Sequence, residues 1–129
     1  MKYLCNICLW LTTLSGFSQE KVCKEFRTGV FKYSNPNYAE WTVKRFDSIQ
    51  IETSNKTGIE IHSSIEWNTD CDYILTCQKV TDAKYQNIIG KAFQIFIVET
   101  SNKSYRCISK KNEVQLQDLE LTMIKINEL

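Results

Sequence analysis

The stretch GIEIHSSIEWNTDCDYILTCQ, residues 58–78, reads as two alternating strands about a short turn. In its first half Ile59, Ile61, Ile65 and Trp67 share one face, and Glu60, His62, Ser64 and Glu66 share the other. In its second half Cys71, Tyr73, Leu75 and Cys77 line up against Asp72, Thr76 and Gln78, with Ile74 the apolar exception. Successive side chains of a strand point to opposite faces, so a period of two with one apolar face predicts a half-buried β-strand. The short NTD connection turns the chain, and the resulting antiparallel hairpin brings Trp67 and Tyr73 into cross-strand range of about 5 Å.

Working outward, the same alternation recurs on both sides. It runs through EFRTGVFKY (25–33), EWTVKRF (40–46), SIQIET (48–53), SYRCISK (104–110) and EVQLQDLELTMIKI (113–126). In SIQIET the parity sets Ile49 and Ile51 inward, opposite Gln50 and Glu52. KAFQIFIVET (91–100) is apolar on both faces, which predicts a central strand covered on both sides. In 113–126 the apolar parity shifts, so bulges are expected, although Leu116, Leu119, Met123 and Ile126 also fit one helix face. The one helical segment is short, TDAKYQNIIG (81–90), with Asp82 or Thr81 as N-cap and Gly90 as its stop. The fold class that follows is all-β, an antiparallel meander of about eight strands. It closes as a small up-and-down barrel or stays a strongly curved sheet, with one short helix near 81–90.

The pentapeptide ETSNK occurs twice, at 52–56 and 99–103, each time between two alternating runs. Ser, Asn and Lys suit a hairpin tip, Asn being the side chain that best tolerates a left-handed turn. Aligning the two copies sets GIEIHS against YRCISK, which share little beyond a strand pattern. Convergent turn chemistry explains them better than duplication. Asn55-Lys-Thr and Asn102-Lys-Ser also have the form of glycosylation sequons.

The chain has 129 residues, room for one domain. MKYLCNICLWLTTLSGFS opens with a lysine, passes through an apolar run and ends on small residues, which predicts a secretory signal peptide over 1–18 and a single β domain over 19–129. The run is interrupted by Asn6, Thr12 and Thr13 and is shorter than the roughly 20 residues of a membrane span. The expected location is therefore periplasmic or extracellular, with no span in the mature chain. Removing Lys2 leaves 15 basic against 15 acidic residues. That balance, with no local basic cluster, argues against nucleic acid as a partner. Four of the six cysteines remain after cleavage, namely Cys23, Cys71, Cys77 and Cys107. In an exported domain of about 110 residues they are expected to form two disulfides, with three connectivities open.

Little points to catalysis. His62, the single histidine, falls on the polar face of its strand with no nucleophile motif beside it. No C-x-x-C pair or calcium-loop spacing supplies a metal set, and Gly29, Gly58 and Gly90 stand too far apart for a phosphate loop. The expectation is a non-enzymatic protein with no cofactor, no metal and no catalytic residues. The aromatic content is large for so small a domain, and inward aromatics either fill a core or line a ligand cavity. Trp41, Trp67, Tyr73 and Phe93 are the candidate lining residues.

The segments CKEFRTGVFKY, RFDSIQIET and IEWNTDCDYILT, spanning Cys23 to about Glu99, resemble a group of small uncharacterised exported proteins of Bacteroidetes, mostly flavobacteria. The shared pattern is a Cys before a T-G-x-F-x-Y strand, an Arg before a Q-x-E strand, and a W-x-x-x-C-x-Y-x-L strand. The resemblance implies an exported β domain. It also pairs Cys23 with Cys71, which leaves Cys77 with Cys107. Some members carry a DNA topoisomerase IV label, for which this chain offers neither a basic face nor a nucleotide loop. The Gly29-x-Phe31 opening also resembles the first strand of lipocalin-like, calycin-type barrels. Together these readings lead to an exported protein that binds a small apolar or amphipathic ligand. The alternative is a cell-envelope interaction or inhibitor module that works through a sheet edge or hairpin tips.

Overall fold

A computed structural model describes residues 21–111 and 119–129. The expected signal peptide lies outside these residues. Eight strands are seen among them: β1 (Gly29–Tyr33), β2 (Trp41–Arg45), β3 (Ile49–Ser54), β4 (Glu60–Thr69), β5 (Asp72–Val80), β6 (Ala92–Thr100), β7 (Ser104–Lys111) and β8 (Leu119–Asn127). Every strand pairs antiparallel with its neighbours in sequence, and β1 also pairs with β8, so the meander closes into an up-and-down barrel without free edges. The 58–78 hairpin has the expected register, with Trp67 opposite Tyr73, Ile65 opposite Leu75 and Ser63 opposite Cys77. Among the described residues no helix is long and apolar enough to cross a membrane.

One end of the barrel is closed. The segment from residue 25, expected to be extended, enters its strand only at Gly29, and Cys23–Phe26 is a 3-10 turn laid across the opening. A Cys23–Cys71 disulfide, with Cα atoms 5.2 Å apart, ties this turn to the β4–β5 connection. Phe26 is driven inward, where its ring lies 5.2 Å from that of Tyr105. Its burial contributes roughly 1.5–3 kcal/mol and explains why the segment abandons the sheet direction.

Cys77 and Cys107 are both buried and free, so the expected second disulfide does not form. Cys77 donates its N–H to Lys91 at the start of β6, whereas Cys107 is paired with Ile97, six residues further along that strand. Six residues of strand rise about 20 Å, and a disulfide tolerates Cα separations of only about 7 Å.

The parity of β3 is the reverse of that expected. Gln50 is 4% exposed whereas Ile49 is 48% exposed. The reason lies across the ladder, where Gln50 is paired with inward Arg45 and Glu52 with inward Val43. A buried guanidinium needs acceptors beside it, and that requirement outweighs the burial of two isoleucines. β6 also departs from expectation, because a closed barrel has no central strand. Ile95 and Ile97 point inward and are buried, while Phe96 stays half-buried on the outside, with Lys110 Nζ 5.5 Å from its ring centre.

The 81–90 segment keeps its expected cap and stop but is wound as 3-10 turns over Ala83–Ile88, kinked at Tyr85. Asp82 accepts from the Lys84 N–H at 2.7 Å, and Gly90 has a φ of +84°. Of the 113–126 segment, residues 119 onward are strand, and Leu116 lies outside the described residues.

Both ETSNK copies form hairpin tips, at opposite ends of the barrel. The first joins β3 to β4 at the open end, where Ser54 Oγ accepts from the Thr57 N–H and Gly58 takes a φ of +74°. The second joins β6 to β7 beside the closed end and is fastened by the Ser101 N–H donating to Ser104 O at 2.8 Å. Neither asparagine adopts a positive φ. The same five residues thus serve two different turns.

Gly29 opens β1 with a φ of +139°, and a Cβ there would lie 2.6 Å from Lys125 Cε and 3.1 Å from Asn127 O. Gly29→Ala is expected to cost about 2 kcal/mol in chemical denaturation, since the strained backbone and the β8 carbonyl both resist it.

Candidate functional site

An eight-stranded barrel is just wide enough to be filled by side chains or to hold one small ligand. Here the two halves differ. At the closed end the Arg45 guanidinium donates to Gln50 Oε1 at 2.9 Å, to the Phe26 carbonyl at 3.0 Å and to the Tyr105 hydroxyl at 2.7 Å. All three acceptors are uncharged. The cation also lies over the rings of Phe31 and Tyr73, 4.5 and 5.1 Å from their centres, a favourable quadrupole contact. Outside this layer Arg27 reaches Asp70 and Asp47 and stacks 4.8 Å from Trp67, whose Nε1 donates to the Asp47 carbonyl. Trp67 therefore belongs to the closure, where its ring lies 4.5 Å from that of Tyr73.

Above Tyr73 and Tyr105 the interior is open. A cavity of about 190 Å³ has one polar wall and one apolar wall. Strands β1 to β3 contribute Tyr33, Arg45, Gln50 and Glu52, strands β5, β6 and β8 contribute Leu75, Phe93, Ile95, Leu121 and Met123, and Tyr73 on β5 with Tyr105, Cys107 and Ser109 on β7 complete the lining. A second hollow of about 300 Å³ forms the mouth, lined by Tyr33, Tyr38, Trp41, Glu52, Ile61, Leu119 and Leu121. Tyr33, Glu52 and Leu121 line both, so the mouth continues into the cavity. Leu119 is exposed at the rim. A larger hollow of about 350 Å³ lies outside the barrel, against the closing turn. Of the two lysines in its wall, Lys103 and Lys125, the second already donates to the Glu25 carbonyl and pairs with Glu128.

Of the four lining residues expected from sequence, Tyr73 and Phe93 meet in the inner cavity and Trp41 stands at the mouth, while Trp67 is at the other end. Sequence parity missed Arg45, Gln50 and Glu52. The signal available was Arg45 itself, which shares the face of Trp41 and Val43 and so implies inward acceptors on the next strand. No family model, no curated protein and no solved structure matches this chain. Its function must be argued from the cavity.

Glu52 accepts a hydrogen bond from the Tyr33 hydroxyl through Oε1. Burial holds its carboxyl above the ordinary carboxylate range, against the Tyr33 hydrogen bond and the Arg45 cation, both of which favour the anion. Burial likewise pushes the Cys107 thiol up to about 11, which leaves it protonated and poorly nucleophilic at neutral pH. His62 pairs with Glu60 at 2.8 Å on the outer face, while Glu52 faces the interior, so histidine and buried carboxyl do not meet. Among the described residues no three metal-ligating side chains converge. The arrangement is suited to holding and orienting a molecule with a polar side and an apolar side.

Proposed function

We propose that this chain is an exported, non-catalytic binding protein that takes a small amphipathic molecule into the open half of its barrel. The observation that carries the reading is the mixed lining of the cavity, in which the hydrogen-bonding groups of β1 to β3 and β7 meet the aliphatic and aromatic side chains of β5, β6 and β8. Pockets of this kind are mostly apolar with a few placed polar groups, and a continuous opening to solvent admits the ligand. Export is supported by the Lys-apolar-small pattern of residues 1–18, by the resemblance to exported Bacteroidetes proteins, and by the Cys23–Cys71 bridge, since disulfides persist in oxidising compartments. The closed antiparallel order also agrees with the lipocalin-like resemblance of the Gly29-x-Phe31 strand.

In this reading Tyr73, Phe93 and Trp41 contact the ligand, and Trp67 holds the far end shut. The uncharged fluorophore N-phenyl-1-naphthylamine should therefore bind saturably. Leu121→Trp, which places bulk where cavity and mouth join, should weaken uptake about tenfold. Trp67→Phe should leave uptake unchanged. Absence of saturable uptake, or loss of uptake in Trp67→Phe with Leu121→Trp unaffected, would refute the proposed site.

A further inference from the structure

We infer that the mouth of the cavity selects ligands bearing an ammonium group, held between the Glu52 carboxylate and the rings of Tyr33, Tyr38 and Trp41. The inference deepens the proposed function and rests on it. Among the described residues three aromatic side chains and one carboxyl line this hollow, and no basic side chain does. Aromatic faces carry negative charge density and attract cations, most strongly where water is partly excluded, and such cages recognise quaternary and methylated ammonium groups. The Tyr33 and Tyr38 rings stand 5.4 Å apart, tilted by 54°. The Tyr33 hydroxyl is engaged with Glu52 Oε1, which fixes both side chains. Among the described residues Glu52 Oε2 accepts no hydrogen bond. It remains available to an N–H donor from the mouth.

Polarity along the barrel supports the same orientation. Among the described residues Arg45 is the one cation lining the inner cavity, and it repels a second positive charge from the base. An ammonium group held at Glu52 would send its apolar portion inward over Leu75, Phe93 and Met123. A carboxylate ligand meets the opposite field, because it must pass Glu52 before reaching a guanidinium already engaged with three acceptors.

Selection should depend on pH. The titratable or charged groups around Glu52 are Tyr33 from β1, Arg45 from β2, Cys77 from β5, and Tyr73 and Tyr105 at the cavity base. Glu52 is the only carboxyl among them. Its anion is present above its raised pKa and is lost as pH falls through it, so the ammonium preference should fade in that direction.

The test is displacement of N-phenyl-1-naphthylamine from the full chain by hexylammonium, hexanoate and hexanol at neutral pH. Hexylammonium should bind about tenfold tighter than hexanoate. Glu52→Gln preserves an acceptor for Tyr33; it should weaken hexylammonium about tenfold and leave hexanol within about twofold. Trp41→Leu supplies a second variant, expected to weaken hexylammonium more than hexanol. Hexanoate binding as tightly as hexylammonium, or an unchanged ammonium-to-alcohol ratio in both variants, overturns the ammonium site while binding of hexanol sustains the cavity. Failure of all three to displace the fluorophore overturns the ammonium site, and failure of the fluorophore itself to bind overturns both.

Discussion

Arg45→Met will lower the unfolding free energy by about 3–5 kcal/mol, the cost of breaking a buried polar network from one side. The guanidinium makes three hydrogen bonds, and each acceptor stays behind when it is removed. The Phe26 carbonyl, Gln50 Oε1 and the Tyr105 hydroxyl all belong to buried residues, and the Tyr105 hydroxyl also has that of Tyr73 at 3.3 Å. An unpaired buried polar group costs about 1–3 kcal/mol, so two of the three suffice for the predicted loss. Lysine should not rescue it, because a single ammonium cannot reproduce the fork that serves a backbone carbonyl, an amide and a phenol together. The triple variant Arg45→Met, Gln50→Leu, Tyr105→Phe removes most of the orphaned groups and should recover part of the loss, since apolar replacement of a whole buried network is often neutral. A loss below about 1 kcal/mol for Arg45→Met would show that the guanidinium does not hold the closure.

The same residue marks the boundary of what the sequence makes legible. Strands with a clear apolar face were readable: Ile65 and Trp67 on β4 face Leu75 and Tyr73 on β5 in the register their alternation predicts, and beyond Ser63 a bulge shifts it, pairing Ile61 with Val80. Closure was foreseen as one of two outcomes, because alternation fixes which side of a strand is buried but leaves curvature open. On β3 the method failed in an instructive way. Apolar parity assigns Ile49 and Ile51 to the interior, yet the strand is turned by what Arg45 and Tyr33 require of it. The inward polar residues Gln50 and Glu52 therefore looked like a solvated face, and they are the ones that give the cavity its polar wall. Cys77 and Cys107 show another limit. A count of four predicts two bridges, but only the register along β6 reveals that these two lie too far apart. The closing turn was unreadable for a third reason. Cys23–Phe26 has the composition of a strand and is bent by contacts to Cys71, Arg45 and Tyr105, all remote in sequence.

Cys23→Ala with Cys71→Ala will cost about 4 kcal/mol, because the bridge closes a loop spanning 48 positions and removes the corresponding entropy from the unfolded chain. Chemical denaturation of the wild type with and without reductant should give the same difference. Without reductant, unfolded protein should yield Cys77 and Cys107 as alkylated thiols and one bridged fragment holding Cys23 and Cys71. Alkylation of folded protein should be slow, since both thiols are buried and burial pushes that of Cys107 up to about 11. The informative measurement combines this loss with that of Arg45→Met. Both groups fasten one turn, the disulfide through Cys23 and the guanidinium through the Phe26 carbonyl. If the bridge acts on the unfolded chain alone, the two losses add within about 0.5 kcal/mol. If losing either fastening already frees the Cys23–Phe26 turn from the barrel, the second change has less left to break. Sub-additivity well beyond that margin is the expected result, with the turn behaving as one cooperative plug rather than as a set of independent contacts.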